Sequence, residues 1–134
     1  MKLSQLLKKY RQQQISGNVE PDVTGMHYDS RQIRPGDAFF ALRGVVSDGH
    51  NFISSAIANG ARVVICEELQ EGAEAESTVL VDNSRQAMAM ATGEFYGDPT
   101  QEMCVVGVTG TNGKTTITYL LEAILDRAGL QPAV

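Results

Sequence analysis

Tryptophan is absent from the sequence, and aromatic residues make up only 6% of its 134 positions. Cysteine is nearly as scarce, because Cys66 and Cys104 are the only two and lie too far apart for a zinc site of the common paired spacing. Each cysteine lies in or beside a β-branched run, so we expect both thiols to be buried as small hydrophobic groups. The hydrophobic fraction of 43% suits an ordinary globular protein and argues against disorder.

An excess of positive charge is also missing, since 11 basic and 16 acidic residues give a net charge of -5. This balance excludes a broad basic face that tracks a nucleic-acid backbone, so we expect no nucleic-acid partner. Charges interrupt the first ten residues as they would not in a signal peptide, and no apolar run approaches the ~20 residues of a membrane span. We therefore expect a cytoplasmic protein without membrane contact.

The first half of the chain shows a helical pattern followed by extended segments. Apolar residues recur at helical spacing in the first ten positions, at Leu3, Leu6, Leu7 and Tyr10. This predicts an amphipathic helix that ends near Ser16-Gly17. The pattern becomes extended from Val23, the Pro and Gly of residues 34–37 indicate a tight turn, and residues 38–42 read as a buried strand.

Strand and helix patterns then alternate. Asn51 is expected to cap a helix with an inward face of Ile53, Ala56 and Ile57, ending at Gly60. Strands are predicted at 62–66 and 78–81, separated by an acidic loop at 67–76. Ser84 is expected to cap a helix that reaches about Tyr96 and turns Ala87, Met88, Ala91 and Phe95 inward. The alternation predicts an α/β fold with a largely parallel sheet.

Gly97-Asp98-Pro99 interrupts the helical pattern, so we predict two domains, 1–98 and 99–134. The second begins with a predicted buried strand at 103–108, then a glycine-rich turn and a helix from Lys114 to about Ala128. One strand and one helix cannot enclose a core, so the chain is expected to be a fragment. Alternatively, the apolar stripe of the last helix packs on the first domain or on another copy, giving self-association. The stripe comprises Ile117, Leu120, Leu121, Ile124 and Leu125.

The segment from Gly107 to Thr116 has the composition of a phosphate-binding loop between a strand and a helix. Its glycines allow backbone amides to converge on phosphate oxygens, and the helix start adds further unpaired amides. Lys114 is predicted to reach the β and γ phosphates of ATP, and Thr115 to offer its hydroxyl to Mg²⁺. Val108 stands where the strict pattern has its first glycine. The predicted nucleotide-binding residues are Gly110, Thr111, Asn112, Gly113, Lys114, Thr115 and Thr116.

Residues 109–116 resemble the ATP loop of the Mur ligase family, which also lacks that glycine, although folylpolyglutamate and cyanophycin synthetases share much of the loop. The preceding segments 28–31, 34–42 and 48–50, with Gly44, resemble the UDP-binding domain of the family. The resemblance implies a small UDP-binding α/β domain followed by the first strand, phosphate loop and helix of an ATPase domain. It also implies that a uridine diphosphate end of the substrate is contacted by Tyr28, Ser30, Val45, Val46 and Ser47.

Considered without the family, the triplet Asp29-Ser30-Arg31 has a simpler interpretation as a strand end with a side-chain-capped turn. Arg31 could also neutralise a diphosphate. Neither His27 nor His50 has a second ligand at metal-binding spacing, so we expect surface or hydrogen-bonding roles for both. Asp48-Gly49 has the composition of a turn and is not expected to be catalytic.

The resemblance implies an amide-bond ligase of peptidoglycan precursor synthesis. ATP would phosphorylate the D-glutamate carboxylate of UDP-MurNAc-L-Ala-D-Glu, and diaminopimelate or lysine would attack, with Lys114 as the catalytic residue. The Thr111-Asn112 pair favours ligases that add the third amino acid over those that add D-Ala-D-Ala. A second magnesium carboxylate, a carbamylated lysine and an amino-acid-selecting domain are expected elsewhere, so this chain alone should be inactive. The alternatives are a non-catalytic nucleotide-sugar-binding module and a generic phosphate-loop NTPase.

Overall fold

The computed structural model describes residues 1–11 and 13–134. The chain forms two compact units, Met1–Pro99 and Thr100–Val134. No helix in the part of the chain so described is long and apolar enough to cross a membrane.

The described residues of the first unit form five strands and three α-helices. The helices are α1 (Leu3–Leu6), α2 (Ile53–Ala58) and α3 (Ser84–Tyr96). The strands are β1 (Gln13–Gly17), β2 (Met26–His27), β3 (Ala38–Phe40), β4 (Val63–Cys66) and β5 (Ser77–Val81). Short 3-10 helices cover Ser30–Gln32, Gly49–Phe52 and Pro99–Gln101.

The five strands form one sheet in the order β1-β5-β4-β3-β2. β2, β3, β4 and β5 run parallel, with Phe39 opposite His27 on one side and Val64 on the other. β1 is antiparallel to β5 and pairs Ile15 with Val79. The predicted α/β fold with a largely parallel sheet is confirmed.

The amino-terminal segment departs from its predicted structure. The helix ends at Leu6 rather than near Ser16-Gly17, and both of those residues belong to β1. The apolar spacing that suggested a longer helix is real, since Leu3, Leu6, Leu7 and Tyr10 are all buried. The prediction was wrong because pairing with the edge of β5 satisfies the backbone of Gln13–Gly17, and such pairing depends on residues that are remote in sequence.

Alternating residues of the central strands supply a core on each face of the sheet. Phe40 and Ile65 belong to the core packed by α1 and α3, whereas Phe39 and Val64 belong to the core packed by α2. All four side chains are at most 1% exposed. Each full burial of this kind stabilises the fold by about 1.5–3 kcal/mol, so the two-sided strands hold the unit together.

Two helix caps differ from those predicted. The side chain of Asp48, not Asn51, accepts from a backbone amide where the 3-10 helix before α2 begins, and Asn83 rather than Ser84 caps α3 by accepting from the Gln86 amide. Both predictions placed the cap within three residues of the observed one, which is the usual uncertainty of a boundary read from side chains alone. Gly60 has the expected left-handed conformation, with φ of 103°.

The second unit contains one long helix, α4 (Lys114–Arg127), close to the predicted range. The predicted buried strand at 103–108 is wrong: these residues form no regular structure, and Val105 and Val106 are 65% and 60% exposed. A strand requires a hydrogen-bonding neighbour, and none lies alongside among the described residues of this unit. Cys104 is consequently exposed, whereas Cys66 is buried as expected.

Candidate functional site

The segment after β2 forms the first wall of a cavity in the first unit. The Asp29 carboxylate accepts from the Arg31 backbone amide at 3.0 Å and caps the 3-10 helix that begins at Ser30. The Arg31 guanidinium also donates to Asp29, at 2.6 and 2.9 Å, and these hydrogen bonds lower the pKa of Asp29 to about 2. The capped turn inferred from the triplet is therefore present.

Three hydrogen bonds hold this wall and the turn that follows it. Asn59, just after α2, donates from its side-chain amide to the Ser30 carbonyl at 2.8 Å. In the turn at residues 34–37, which follows this 3-10 helix, the buried Asp37 carboxylate accepts from the Arg34 amide and the Thr24 hydroxyl, each at 2.9 Å. These hydrogen bonds compensate the burial of a charged group and hold the Pro-Gly turn in place.

The second wall is a short hairpin, Arg43–Asp48, which follows β3. Its ends form an antiparallel bridge, and the Gly44 amide donates to the Ser47 carbonyl at 3.0 Å. Val45 and Val46 lie at the tip with essentially fully exposed side chains. Because this hairpin keeps two apolar residues in solvent, its shape is set by the groups at its base rather than by a core.

The base of the hairpin is held by ion pairs and by His50. The Arg43 guanidinium pairs with Glu68 and lies 3.4 Å from the Glu67 carboxylate. His50 is 4% exposed; its Nδ1 lies 2.6 Å from Asp48 Oδ1, and its Nε2 accepts from the Glu67 amide. The His50 backbone amide and ring both hydrogen-bond to Asp48 and lower its pKa. The expected hydrogen-bonding role of His50 is thereby confirmed.

Between these walls is an open cavity of about 740 Å³ with a lining of both polar and apolar groups. It is lined by Tyr28, Asp29, Ser30, Arg31, Leu42, Gly44, Ser47, Gly49, Phe52, Ser55, Asn59 and Arg85. A volume of this size is in the range of small-molecule sites. Hydroxyls, amides, exposed aromatic rings and two guanidinium groups can together bind a polar, anionic ligand that also has a ring to stack.

The predicted substrate-binding residues are only partly brought together. Tyr28, Ser30 and Ser47 line the cavity, whereas Val45 and Val46 are not among its lining residues in the described structure and occupy the hairpin tip beside it. Arg85 was not predicted. It lies far from the other lining residues in sequence, at the start of α3, and no local motif marks it.

The phosphate loop in the second unit precedes α4 directly. Gly110 and Gly113 have φ of 149° and 77°, backbone angles that side-chain-bearing residues rarely adopt. A Cβ atom at Gly113 would meet nothing within 4 Å, so glycine is required there for conformation rather than for space. The Lys114 amine donates to the Gly110 carbonyl at 2.7 Å and so lies folded back over the loop.

The remaining loop residues are accessible. Thr111, Asn112, Thr115 and Thr116 are all exposed, and the first amides of α4 have no intrahelical acceptors. Residues 1–11 and 13–134 contain no group of three His, Cys, Asp or Glu residues that could hold a metal ion. A threonine hydroxyl is nevertheless a ligand type that Mg²⁺ accepts when phosphate and water complete its shell, so Thr115 fits that ion.

Each of the two units matches a profile of a known protein family. The profile described as "Mur ligase family, catalytic domain" matches residues 22–96, and that described as "Mur ligase middle domain" matches residues 108–133. Two similar relatives are named UDP-N-acetylmuramoyl-L-alanyl-D-glutamate--2,6-diaminopimelate ligase. The Clostridium tetani protein is 43% identical over 98% of this chain and 28% of its own length, and the Geobacter sulfurreducens protein is 45% identical over 100% and 26%.

Solved structures give a consistent result. A UDP-N-acetylmuramoylalanyl-D-glutamyl-2,6-diaminopimelate--D-alanyl-D-alanyl ligase from Acinetobacter baumannii has a TM-score of 0.60 and 31% identity over 93% of this chain and 27% of its own. The MurF ligase from Thermotoga maritima in complex with ADP has a TM-score of 0.58 and 32% identity over 80% and 24%. This chain thus spans about a quarter of the length of the proteins it matches.

Proposed function

The chain belongs to the Mur ligase family, and from this premise we propose that it serves the ATP-dependent addition of the third amino acid to UDP-MurNAc-L-Ala-D-Glu. The observation that carries the proposal is the glycine-rich loop with Lys114 folded over it, following a unit that has a cavity of nucleotide size lined by hydroxyl, amide, aromatic and guanidinium groups. A ligase that activates a carboxylate needs both a triphosphate site and a site for the molecule that bears the carboxylate.

The first domain, residues 1–98, would bind the UDP end of that substrate. Ser30 and Ser47 offer hydroxyls and amides to the sugar and diphosphate, and the exposed Tyr28 ring offers a stacking surface. Val45 and Val46 would contact the ligand from the hairpin tip. The uridine diphosphate end of the substrate takes no part in bond making or breaking, so the domain would contribute affinity and orientation rather than catalysis.

Residues 99–134 would begin the ATP-binding domain. The amides of residues 110–116 would surround the phosphates, and the Lys114 amine would move from the Gly110 carbonyl to the β and γ phosphate oxygens. Its charge then stabilises the negative charge that spreads over the phosphoryl group during transfer. Thr115 would provide one oxygen ligand to Mg²⁺, which supplies further charge neutralisation when bound.

The reaction follows from the chemistry of the substrates. The D-glutamate carboxylate attacks the γ phosphate, giving an acyl phosphate and ADP. The amine of the incoming amino acid attacks the acyl carbon, and an amide and inorganic phosphate result. We propose diaminopimelate as the amine, in line with the names of the relatives that are 43% and 45% identical. Lysine and the addition of D-Ala-D-Ala are the competing possibilities.

The test is a calorimetric titration of the chain with UDP-MurNAc-L-Ala-D-Glu, with free UDP as competitor. We expect saturable binding that UDP displaces, and no tripeptide on addition of ATP and diaminopimelate, because the parts that select the amine lie outside these residues. Absence of binding by a folded sample would overturn the assignment of the cavity. A longer protein that includes these residues gives a second test. If it hydrolyses ATP at a rate that the UDP-linked substrate does not change, a generic NTPase is favoured.

We also propose that the protein acts in the cytoplasm. A separate proposal is that the apolar stripe of α4 supports self-association. Ile117, Leu120 and Ile124 are 45%, 59% and 62% exposed, so they present apolar surface to solvent. Sedimentation equilibrium at rising concentration should show dimers, and substitution of Leu120 by Lys should abolish them. A monomeric mass throughout would refute self-association without affecting the ligase proposal.

A further inference from the structure

Two cations line the cavity of the first unit, and they differ in what already neutralises them. Arg31 donates to both carboxylate oxygens of Asp29, with distances of 2.6 Å from one terminal nitrogen and 2.9 Å from Nε. Its charge is therefore balanced inside the wall that it belongs to. A second anion near Arg31 would have to compete with Asp29 and would be repelled by it.

Arg85 is in the opposite situation. It lies in the first turn of α3 and donates from one terminal nitrogen to the Arg43 carbonyl at 3.0 Å. No carboxylate of the described residues forms an ion pair with it. A guanidinium has five N–H donors, so a single neutral acceptor leaves most of them and the whole positive charge available to a ligand.

The contact with Arg43 also sets the position of Arg85. Arg43 is the base of the hairpin, where Glu67 and Glu68 hold its guanidinium, and Arg85 reaches its carbonyl from α3. Glu67 further accepts from the Ser84 amide at 2.9 Å, which ties the start of α3 to the same base. Arg85 is thus held at the cavity between the hairpin and the helix, although its side chain is exposed.

We propose that Arg85 is a substrate-binding residue that recognises the diphosphate of a nucleoside diphosphate in this cavity. The inference rests on the proposed function of the first unit and adds a residue to it. A planar guanidinium forms paired hydrogen bonds with phosphate oxygens, and a diphosphate offers several such oxygens. In this arrangement the Tyr28 ring stacks on the base, and Arg85 joins Ser30 and Ser47 in binding the diphosphate.

The test is calorimetry on the 134-residue chain with three probes: UDP, uridine and inorganic pyrophosphate. Replacement of Arg85 by Gln should weaken UDP binding by about 10- to 100-fold, the range for a lost charge-assisted hydrogen bond, and leave uridine binding unchanged. Pyrophosphate should displace UDP from the unsubstituted chain but not from Arg85→Gln. Lys8→Gln makes the same charge change outside the cavity and should bind all three probes normally.

The outcomes separate the inference from the proposed function. If the unsubstituted chain binds UDP and Arg85→Gln binds it equally well, the role of Arg85 is refuted and the UDP site stands. If Arg85→Gln loses as much affinity for uridine as for UDP, Arg85 only holds the hairpin in shape, and the inference is again refuted. If neither UDP nor uridine binds the folded chain, both proposals fail. Matching circular dichroism and melting temperatures establish that each variant is folded.

Discussion

The Nε2 atom of His50 accepts a hydrogen bond from the backbone amide of Glu67 at 2.9 Å. Acceptance at Nε2 requires that nitrogen to be unprotonated, so the ring proton lies on Nδ1 and faces Asp48 at 2.6 Å. One buried ring therefore connects the start of the helix after the hairpin to the end of β4. The link is structural, and it supports one wall of the cavity.

Loss of this ring should destabilise the first unit. His50→Ala leaves the Glu67 amide without its acceptor and creates a small void, so we expect a loss of about 2–3 kcal/mol in the free energy of unfolding. His27→Ala is the control, because the His27 side chain is 31% exposed and 3.6 Å from Asp37, and should cost less than about 1 kcal/mol. Urea denaturation followed by circular dichroism measures both. Similar losses for the two variants would contradict the role of His50.

Lys114 should control ATP affinity. Lys114→Ala removes the charge that faces the phosphates, and we expect ATP binding to weaken by about 10- to 100-fold in a titration with Mg²⁺. Thr115→Ala should instead reduce the dependence of ATP binding on Mg²⁺. Lys8→Ala is the matched control, because it makes the same change at an exposed lysine outside the loop. Undiminished ATP affinity of Lys114→Ala would remove Lys114 from the site.

Gly60 and Gly72 both have positive φ, and alanine substitutions at the two positions should distinguish the cost of backbone strain from that of a steric clash. A Cβ at Gly60 would lie 2.9 Å from the Pro35 Cα, whereas one at Gly72 would meet nothing within 4 Å. Gly72→Ala should therefore cost only the left-handed penalty of about 1–2 kcal/mol. Gly60→Ala adds a clash with backbone and should cost roughly 3 kcal/mol or more. Thermal and urea unfolding measure the loss of stability in both variants. Equal losses would show that the turn at Pro35 moves to accommodate the added methyl group.

Asp29 should remain ionised well into the acid range. Hydrogen bonds from Arg31 lower its pKa from 3.8 to about 2 in the folded state. A lowered folded-state pKa contributes stability that is present above the unfolded value and is lost as the pH falls through the folded value, between about 4 and 2. Carboxyl carbon shifts in an NMR titration should show this pKa, and Arg31→Gln should raise it toward 3.8. A midpoint near 3.8 in the unsubstituted chain would exclude the pairing.

The two thiols should differ sharply in reactivity. Burial raises the pKa of Cys66 to about 11, whereas Cys104 is exposed. Because the thiolate is the reactive form, a disulfide reagent at about pH 8 should label one cysteine in the native chain and both in denaturant. Cys104→Ser should abolish native labelling. Rapid modification of two thiols in the folded protein would show that the strand containing Cys66 opens.

Several structural elements could be read from the sequence because local chemistry determines them. The apolar run at residues 38–42 and the β-branched run at residues 62–66 predicted the central strands, and the spacing of apolar residues predicted α3 and α4. The turn at Pro35-Gly36 and the left-handed Gly60 follow from the backbone preferences of proline and glycine. The phosphate loop was recognisable for the same reason, since its function depends on contiguous residues.

Other features required the tertiary structure. β1 exists because β5 offers an edge to Gln13–Gly17, whereas residues 103–108 form no strand because no strand pairs with them within residues 1–11 and 13–134. Both outcomes depend on hydrogen-bonding partners that are remote in sequence. The cavity likewise gathers Ser30, Ser47, Asn59 and Arg85 from separate segments. The sequence determined which residues could bind an anion. The fold decided which of them keep a charge available, because Asp29 neutralises Arg31, whereas Arg85 donates to a carbonyl and pairs with no carboxylate in the described part of the chain.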